Sequence, residues 1–134
     1  MTEQKLNLLT DYFQDNGIEG LDPQKVLENM SDDEIRAMVS GNDEYVVKRS
    51  GNIEKYKKDK VARSIKNSAD ESDIQLNSSD VDIIIKDITD RLFYGDDKKL
   101  TPTVEVRDMV IEILKKDGYS KVSEAYENYA KNQN

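Results

Sequence analysis

Read for the spacing of its apolar residues, the chain is a series of short helical stripes interrupted once by a pair of extended runs. Leu6, Leu9, Tyr12 and Phe13 recur at helical intervals, and Gly17 supplies a stop. Asp22-Pro23 sets an N-cap before a proline at the first helical position, which predicts a short helix through Val26, Leu27 and Met30. Ser31-Asp32-Asp33-Glu34 has the spacing of a capping box for a further helix carrying Ile35, Met38 and Val39, closed by Gly41-Asn42. Three short helices with so few apolar anchors are poor candidates for folding alone. Residues 1–44 are therefore expected to be a helical extension that packs on the rest of the chain or on a partner.

At Tyr45 the period changes. Tyr45–Arg49 and Ile53–Tyr56 are short runs of β-branched and aromatic residues around Ser50-Gly51-Asn52, the pattern of a β-hairpin. Two strands are marginal in water, so the hairpin is expected to lie on helices. Helical spacing then resumes. A helix from Lys58 to about Ala69 carries Val61, Ala62, Ile65 and Ala69 on one face, and Asp70–Asn77 reads as a loop. Ser78 or Ser79 is expected to cap a long helix with the face Val81, Ile84, Ile85, Ile88 and Leu92, ending at Gly95. Ile83 lies off that stripe. Asp96–Lys99 is a charged connector. Thr101-Pro102-Thr103 leads into a helix with Val106, Met109, Val110, Ile113 and Leu114, closed by Gly118. Lys115 and Lys116 suit the negative end of its dipole. Ser120 opens a last helix with Val122, Ala125, Tyr126 and Tyr129 inward, and its polar KNQN end is expected to fray. The expected fold is mainly α (α+β): a four-helix bundle capped by a small β lid, residues 45–134, with extra N-terminal helices, residues 1–44.

Composition narrows the chemistry. The 134 residues suit one domain with a modest appendage. There is no cysteine and no histidine, which excludes a disulfide framework, a cysteine nucleophile, a Ser-His-Asp triad and a Cys/His zinc site. The N-terminus MTEQKLNLLT lacks the basic and apolar regions of a signal peptide, and no apolar run is long enough to span a bilayer. A cytoplasmic protein with no membrane partner is expected. The net charge of −8 argues against sequence-independent binding to nucleic acid.

Charge is not spread evenly. Lys48, Arg49, Lys55, Lys57, Lys58, Lys60, Arg63 and Lys66 face only Glu54 and Asp59 within Lys48–Lys66, a local net of +6 in an otherwise acidic chain. Such a concentration can hold a compact, highly charged anion without making the whole surface stick to polyanions. A nucleoside triphosphate fits that description.

From Val46 onward the sequence resembles the ATP-cone, the nucleotide-sensing module of ribonucleotide reductases that also occurs in their zinc-ribbon transcriptional repressor. The resemblance lies in VVKRSGNIEKY, KKDKVARSIKNSA, TPTVEVRDMVIEIL and GYSKVSEAYENYAK, in that order. It implies a small sheet lid over four helices, with ATP or dATP, accompanied by magnesium, held between them. By position it implies that Val46, Lys48 and Arg49 lie on the strand contacting the nucleotide. Glu54 and Lys57 then fall on the second strand and its exit, Lys60 near the start of the first helix, and Thr103 and Arg107 where the third helix faces base and phosphates. The physical roles are consistent with this. Arginine binds phosphate oxygens bidentately and lysine acts as a mobile point charge. Glu54 could accept from a ribose hydroxyl or an adenine amino group, and Thr103 offers a hydroxyl beside free helix amides.

The chain departs from the family at Ser50, where an acidic residue is usual, and at Tyr56-Lys57, where Phe-Asp is commoner. Its end NYAKNQN lacks the basic residues often found there. No reductase domain follows within this sequence, and the lack of cysteine excludes the repressor's zinc ribbon, so the expectation is either a free-standing cone or a cone excised from a larger chain, with its own N-terminal helices. The expected function is a non-catalytic ATP/dATP sensor whose nucleotide state shifts its lid or its self-association and is read by a ribonucleotide reductase subunit. The rival is a helical protein-interaction module that no longer binds nucleotide. An enzyme built on paired carboxylates is the weakest reading, because Asp32/Asp33, Asp70/Glu71 and Asp96/Asp97 fall in caps or loops.

Overall fold

Helices α1 (Thr2–Asp15), α2 (Pro23–Asn29) and α3 (Asp32–Ser40) precede strands β1 (Tyr45–Val47) and β2 (Ile53–Lys55). Helices α4 (Lys58–Glu71) and α5 (Ser78–Phe93), strand β3 (Leu100–Pro102), and helices α6 (Thr103–Lys116) and α7 (Ser120–Asn132) follow. These elements come from a computed structural model that describes residues 2–93 and 98–132. The expected stop at Gly95, the acidic pair Asp96-Asp97 and the last two residues of the polar tail lie outside the described residues. The fold is mainly α with a small sheet, as the apolar spacing predicts, and the sheet has three strands. The chain divides into two compact units: Met1–Tyr56 with Phe93–Val104, and Lys57–Leu92 with Glu105–Asn134.

In the first unit the sheet order is β2-β1-β3. The hairpin pairs Tyr45 with Lys55, Val46 with Glu54 and Val47 with Ile53. Its strands are shorter than the apolar runs suggest, because at Lys48 the ladder gives way to the turn: Lys48 N–H donates to Asn52 O (2.9 Å) and Gly51 N–H to Lys48 O (2.9 Å). The strand β3, absent from the local pattern, runs parallel to β1 and pairs Leu100 with Tyr45, Thr101 with Val46 and Pro102 with Val47. Proline is tolerated there because β3 is an edge strand. A third strand also relieves the marginal stability of a lone hairpin. Tyr56 meets Phe93 edge-on, ring centroids 5.0 Å apart.

The sheet packs on the N-terminal helices. Leu9, Tyr12 and Phe13 of α1, Ile18, Val26 of α2, and Ile35 and Met38 of α3 share one buried cluster with Tyr45, Val47 and Leu100. Each such side chain contributes about 1.5–3 kcal/mol when fully buried. Most of that apolar cover comes from α1–α3, so the sheet depends on them. Gly17, at φ +70°, ends α1 in a Schellman motif, with Ile18 N–H donating to Phe13 O (2.8 Å) and Gly17 N–H to Gln14 O (3.1 Å). The capping box of α3 forms as its spacing predicts: Ser31 Oγ accepts from Glu34 N–H, and Glu34 returns to Ser31 N–H. Hydrogen bonds to the carboxylate from the Ser31 backbone N–H and then from the Ser31 side chain hold the Glu34 carboxyl below the usual glutamate range.

In the second unit the apolar stripes are buried largely as read. Ile65 and Ala69 of α4 are buried, with Val61 and Ala62 half-buried. All five expected residues of α5 are buried, as are Val110, Ile113 and Leu114 of α6 and Val122 and Tyr126 of α7. Ser123 Oγ of α7 donates to Ile111 O of α6 (3.1 Å), and the Ser72 hydroxyl lies between Ser68 O (2.8 Å) and Lys121 O (3.1 Å). The cap of α5 is Asn77 rather than Ser78 or Ser79. Its Oδ1 accepts from Asp80 N–H (2.8 Å), and Asp80 closes a reciprocal bond to Asn77 N–H (3.4 Å). Tyr129 is 42% exposed, not inward. Helical spacing gives a side chain's direction but not whether a neighbour reaches that far along the helix.

Candidate functional site

The sequence-derived site residues fall into two groups. In the first unit, Val46 lies in the middle of the central strand and is buried, while Lys48 and Arg49 follow at the end of β1, exposed. Lys48 Nζ makes an ion pair with Glu54 Oε1 across the hairpin at 2.8 Å, with side chains 52% and 41% exposed. A pair that open contributes at most about 1 kcal/mol, so a phosphate could displace the carboxylate at small cost. Thr103, half-buried, is the first residue of α6 directly after β3.

In the second unit, Lys57 occupies the N-cap position of α4 and Lys60 stands in its first turn, both exposed. Arg107 is half-buried, one turn of α6 beyond Thr103 and on the same helical face. Among the described residues, Arg49, Lys57, Lys60 and Arg107 make no ion pair.

The start of α4 is electrostatically unusual. A helix N-terminus carries about half a positive charge from its unpaired amides, and acidic or hydroxyl side chains normally meet it. Here the N-cap is a lysine with no side-chain bond to the helix, and Lys58 and Lys60 follow, against Asp59 as the one acid of the first turn. Like charges are therefore gathered at the positive pole of a 14-residue helix. An anion with several oxygens would meet both unpaired amides and ammonium groups. A metal would find less: no group of three His, Cys, Asp or Glu able to hold one occurs among the described residues.

The same stretch of chain is matched by a family profile. The ATP cone domain accounts for residues 44–134. The chain belongs to the ATP-cone family. ATP cones are regulatory nucleotide-binding modules rather than catalytic domains, which accords with the cationic surfaces just described. Comparison with curated proteins returns no match. No helix among the described residues is long and apolar enough to cross a membrane.

The sequence did not point to two features beside these residues. The first is β3, which delivers Thr103 to the start of α6. Leu100-Thr101-Pro102 carries a faint signal, since a proline holds the residue before it extended. The second is Asn16, whose buried carboxamide accepts from Lys99 N–H (2.7 Å) and Leu100 N–H (3.1 Å) at the beginning of β3. Nothing in the local sequence marks it.

Proposed function

We propose that this ATP cone binds ATP or dATP and reports its occupancy to a partner without hydrolysing it. The observation that carries the reading is the start of α4, where Lys57, Lys58 and Lys60 crowd an uncapped helix N-terminus and repel one another unless an anion intervenes. Lys48, Arg49, Lys57, Lys60 and Arg107 are the cations for the triphosphate, and Thr103 adds a hydroxyl at the head of α6. Val46 lines the strand against the nucleoside, and Glu54 accepts from a ribose hydroxyl or the adenine amino group once Lys48 turns to phosphate. Magnesium would arrive on the triphosphate, held by phosphate oxygens and water.

Regulation follows from differential binding. A nucleotide moves an equilibrium only by the difference in its affinity for two states, so the free and bound forms must differ in lid position or self-association. A ribonucleotide reductase subunit in the cytoplasm is the partner the family suggests. Ile83, 66% exposed on α5, is a candidate for the surface that such a partner reads.

Calorimetry with ATP and dATP tests the proposal directly. Lys48→Ala combined with Arg49→Ala should weaken affinity tenfold or more, equivalent to about 1.4 kcal/mol, with unchanged circular dichroism. Silence from the wild-type chain with both nucleotides would favour a helical interaction module working through surfaces such as that around Ile83.

A further inference from the structure

The family match begins at residue 44, yet Asn16, the residue after α1, and helix α2 touch the two segments that lead into the nucleotide contacts just proposed. The first contact is the Asn16 carboxamide, in a residue only 7% exposed. Its Oδ1 takes the N–H groups of Lys99 and Leu100, and its Nδ2 donates to Tyr12 O at 2.8 Å. The strand β3 is the sheet edge, bonded on one side to β1, and its chain continues directly into Thr103. A free edge leaves backbone donors without partners, and Asn16 meets two of them. The second contact is at the hairpin turn. Gly51, at φ +92°, lies so close to α2 that a Cβ there would come within 3.1 Å of Lys25 Cβ. That turn joins Arg49 to the strand carrying Glu54.

We propose that Asn16 is a positioning residue for nucleotide binding. Its carboxamide fixes the height of β3 and, through three residues of extended chain ending in the rigid Pro102, the position of Thr103 at the head of α6. A leucine in its place would fill the volume but leave both amides without an acceptor, and β3 could slide or fray. The helices α1 and α2 are thus part of the binding apparatus as well as a cover for the sheet. Linkage makes the effect reciprocal: whatever factor Asn16 adds to nucleotide affinity, nucleotide adds to the closure of the Asn16–β3 bonds. The inference rests on the nucleotide reading proposed above.

The test uses the full chain, calorimetry with ATP, and amide hydrogen exchange at Lys99 and Leu100. Asn16→Asp keeps an acceptor for both amides, whose N–H groups can hold its carboxylate, and sets an oxygen in place of the donor to Tyr12 O; Asn16→Leu keeps no acceptor. Asn16→Leu should bind ATP about tenfold more weakly, equivalent to about 1.4 kcal/mol, while Asn16→Asp stays within about threefold of wild type. In the wild-type chain, saturating ATP should slow exchange at both amides. A folded Asn16→Leu protein with faster exchange at β3 but wild-type ATP affinity would reduce Asn16 to a structural residue and overturn the inference alone. Should that variant not fold, the wild-type exchange decides, and amides indifferent to ATP overturn it. A wild-type chain that binds neither ATP nor dATP is a different failure, one that removes the nucleotide reading itself.

Discussion

Replacing Lys57 with aspartate should make the free protein more stable and its nucleotide binding weaker. Lys57 holds the N-cap of α4 in extended geometry, φ −116° and ψ 105°, with no side-chain bond to the helix. That backbone conformation suits a capping aspartate, which would accept from an amide of the first turn. Capping residues contribute about 1 kcal/mol over residues that cannot cap. Removing a cation from the positive helix pole and adding an anion contributes roughly 0.3–1 kcal/mol more. Lys57→Asp should therefore raise unfolding free energy by about 1–2 kcal/mol, read from urea titrations at low salt without nucleotide. If the proposed site is right, the same change cancels a charge that would draw phosphate and fills the amide site with a carboxylate. Charge pairs near a surface are worth up to a few kcal/mol before desolvation, so affinity for ATP should fall at least tenfold by calorimetry. Lys57→Gln would separate the parts, losing the charge without adding an anion. A Lys57→Asp protein that is stabilised as expected yet binds ATP as the wild type does would show that the head of α4 holds no phosphate.

Three further outcomes follow from single groups. The Tyr12 hydroxyl is buried with no hydrogen-bond partner among the described residues, so Tyr12→Phe should raise stability by about 1 kcal/mol in urea unfolding, the cost of an unsatisfied polar atom. Burial, and then the nearby Tyr45, push the Tyr12 hydroxyl up to about 12 from 10, so the neutral form favours the fold below pH 10 and that stability drains away as pH climbs toward 12. Alkaline unfolding should accordingly be shallower in Tyr12→Phe, and an unchanged alkaline limb would refute the assignment. Asp73 ends α4 at φ 57°, with Ile74 N–H bonded back to Ala69 O (3.0 Å), a left-handed position that costs any residue with a Cβ. Asp73→Gly should stabilise the chain by about 0.5–1 kcal/mol in the same titration, and a loss of stability would mean that the aspartate side chain has a compensating partner.

Helix stripes were legible because a helix declares its inward face within a few turns of its own sequence. Val81, Ile84, Ile85, Ile88 and Leu92 are legible from their spacing alone, as is the capping box at Ser31. What escaped was long-range. The strand β3 is three residues long and owes its existence to β1, more than fifty positions earlier, and no window around Leu100 contains that partner. The Asn16 bonds to Lys99 and Leu100 span still more of the chain, 83 and 84 positions. Of the site, the sequence disclosed the concentration of charge. It could not disclose that Lys48 closes onto Glu54 across the hairpin, since that pair depends on register.

The lysine-rich head of α4 raises a question of cost that the ligand itself can answer. A missing cap and mismatched charges at a helix terminus weaken the fold by about 1–2 kcal/mol, a large part of the 5–15 kcal/mol typical of a domain. An interaction surface with no anion to meet would gain nothing in return. A ligand that binds only the folded form adds stability of RT ln(1 + [L]/Kd), about 2.7 kcal/mol at one hundred times Kd. That exceeds the deficit, so the occupied protein ends more stable than a well-capped but indifferent one. The empty protein, by contrast, is left with self-repelling charge that favours any rearrangement moving the lysines apart. On the proposed reading the same side chains would supply both the affinity and the difference between empty and filled states, and the second quantity is what a regulatory domain transmits. Thermal unfolding should reflect both: ATP should raise the midpoint of the wild-type chain by several degrees and that of Lys57→Asp by much less, and equal shifts in the two would refute the argument.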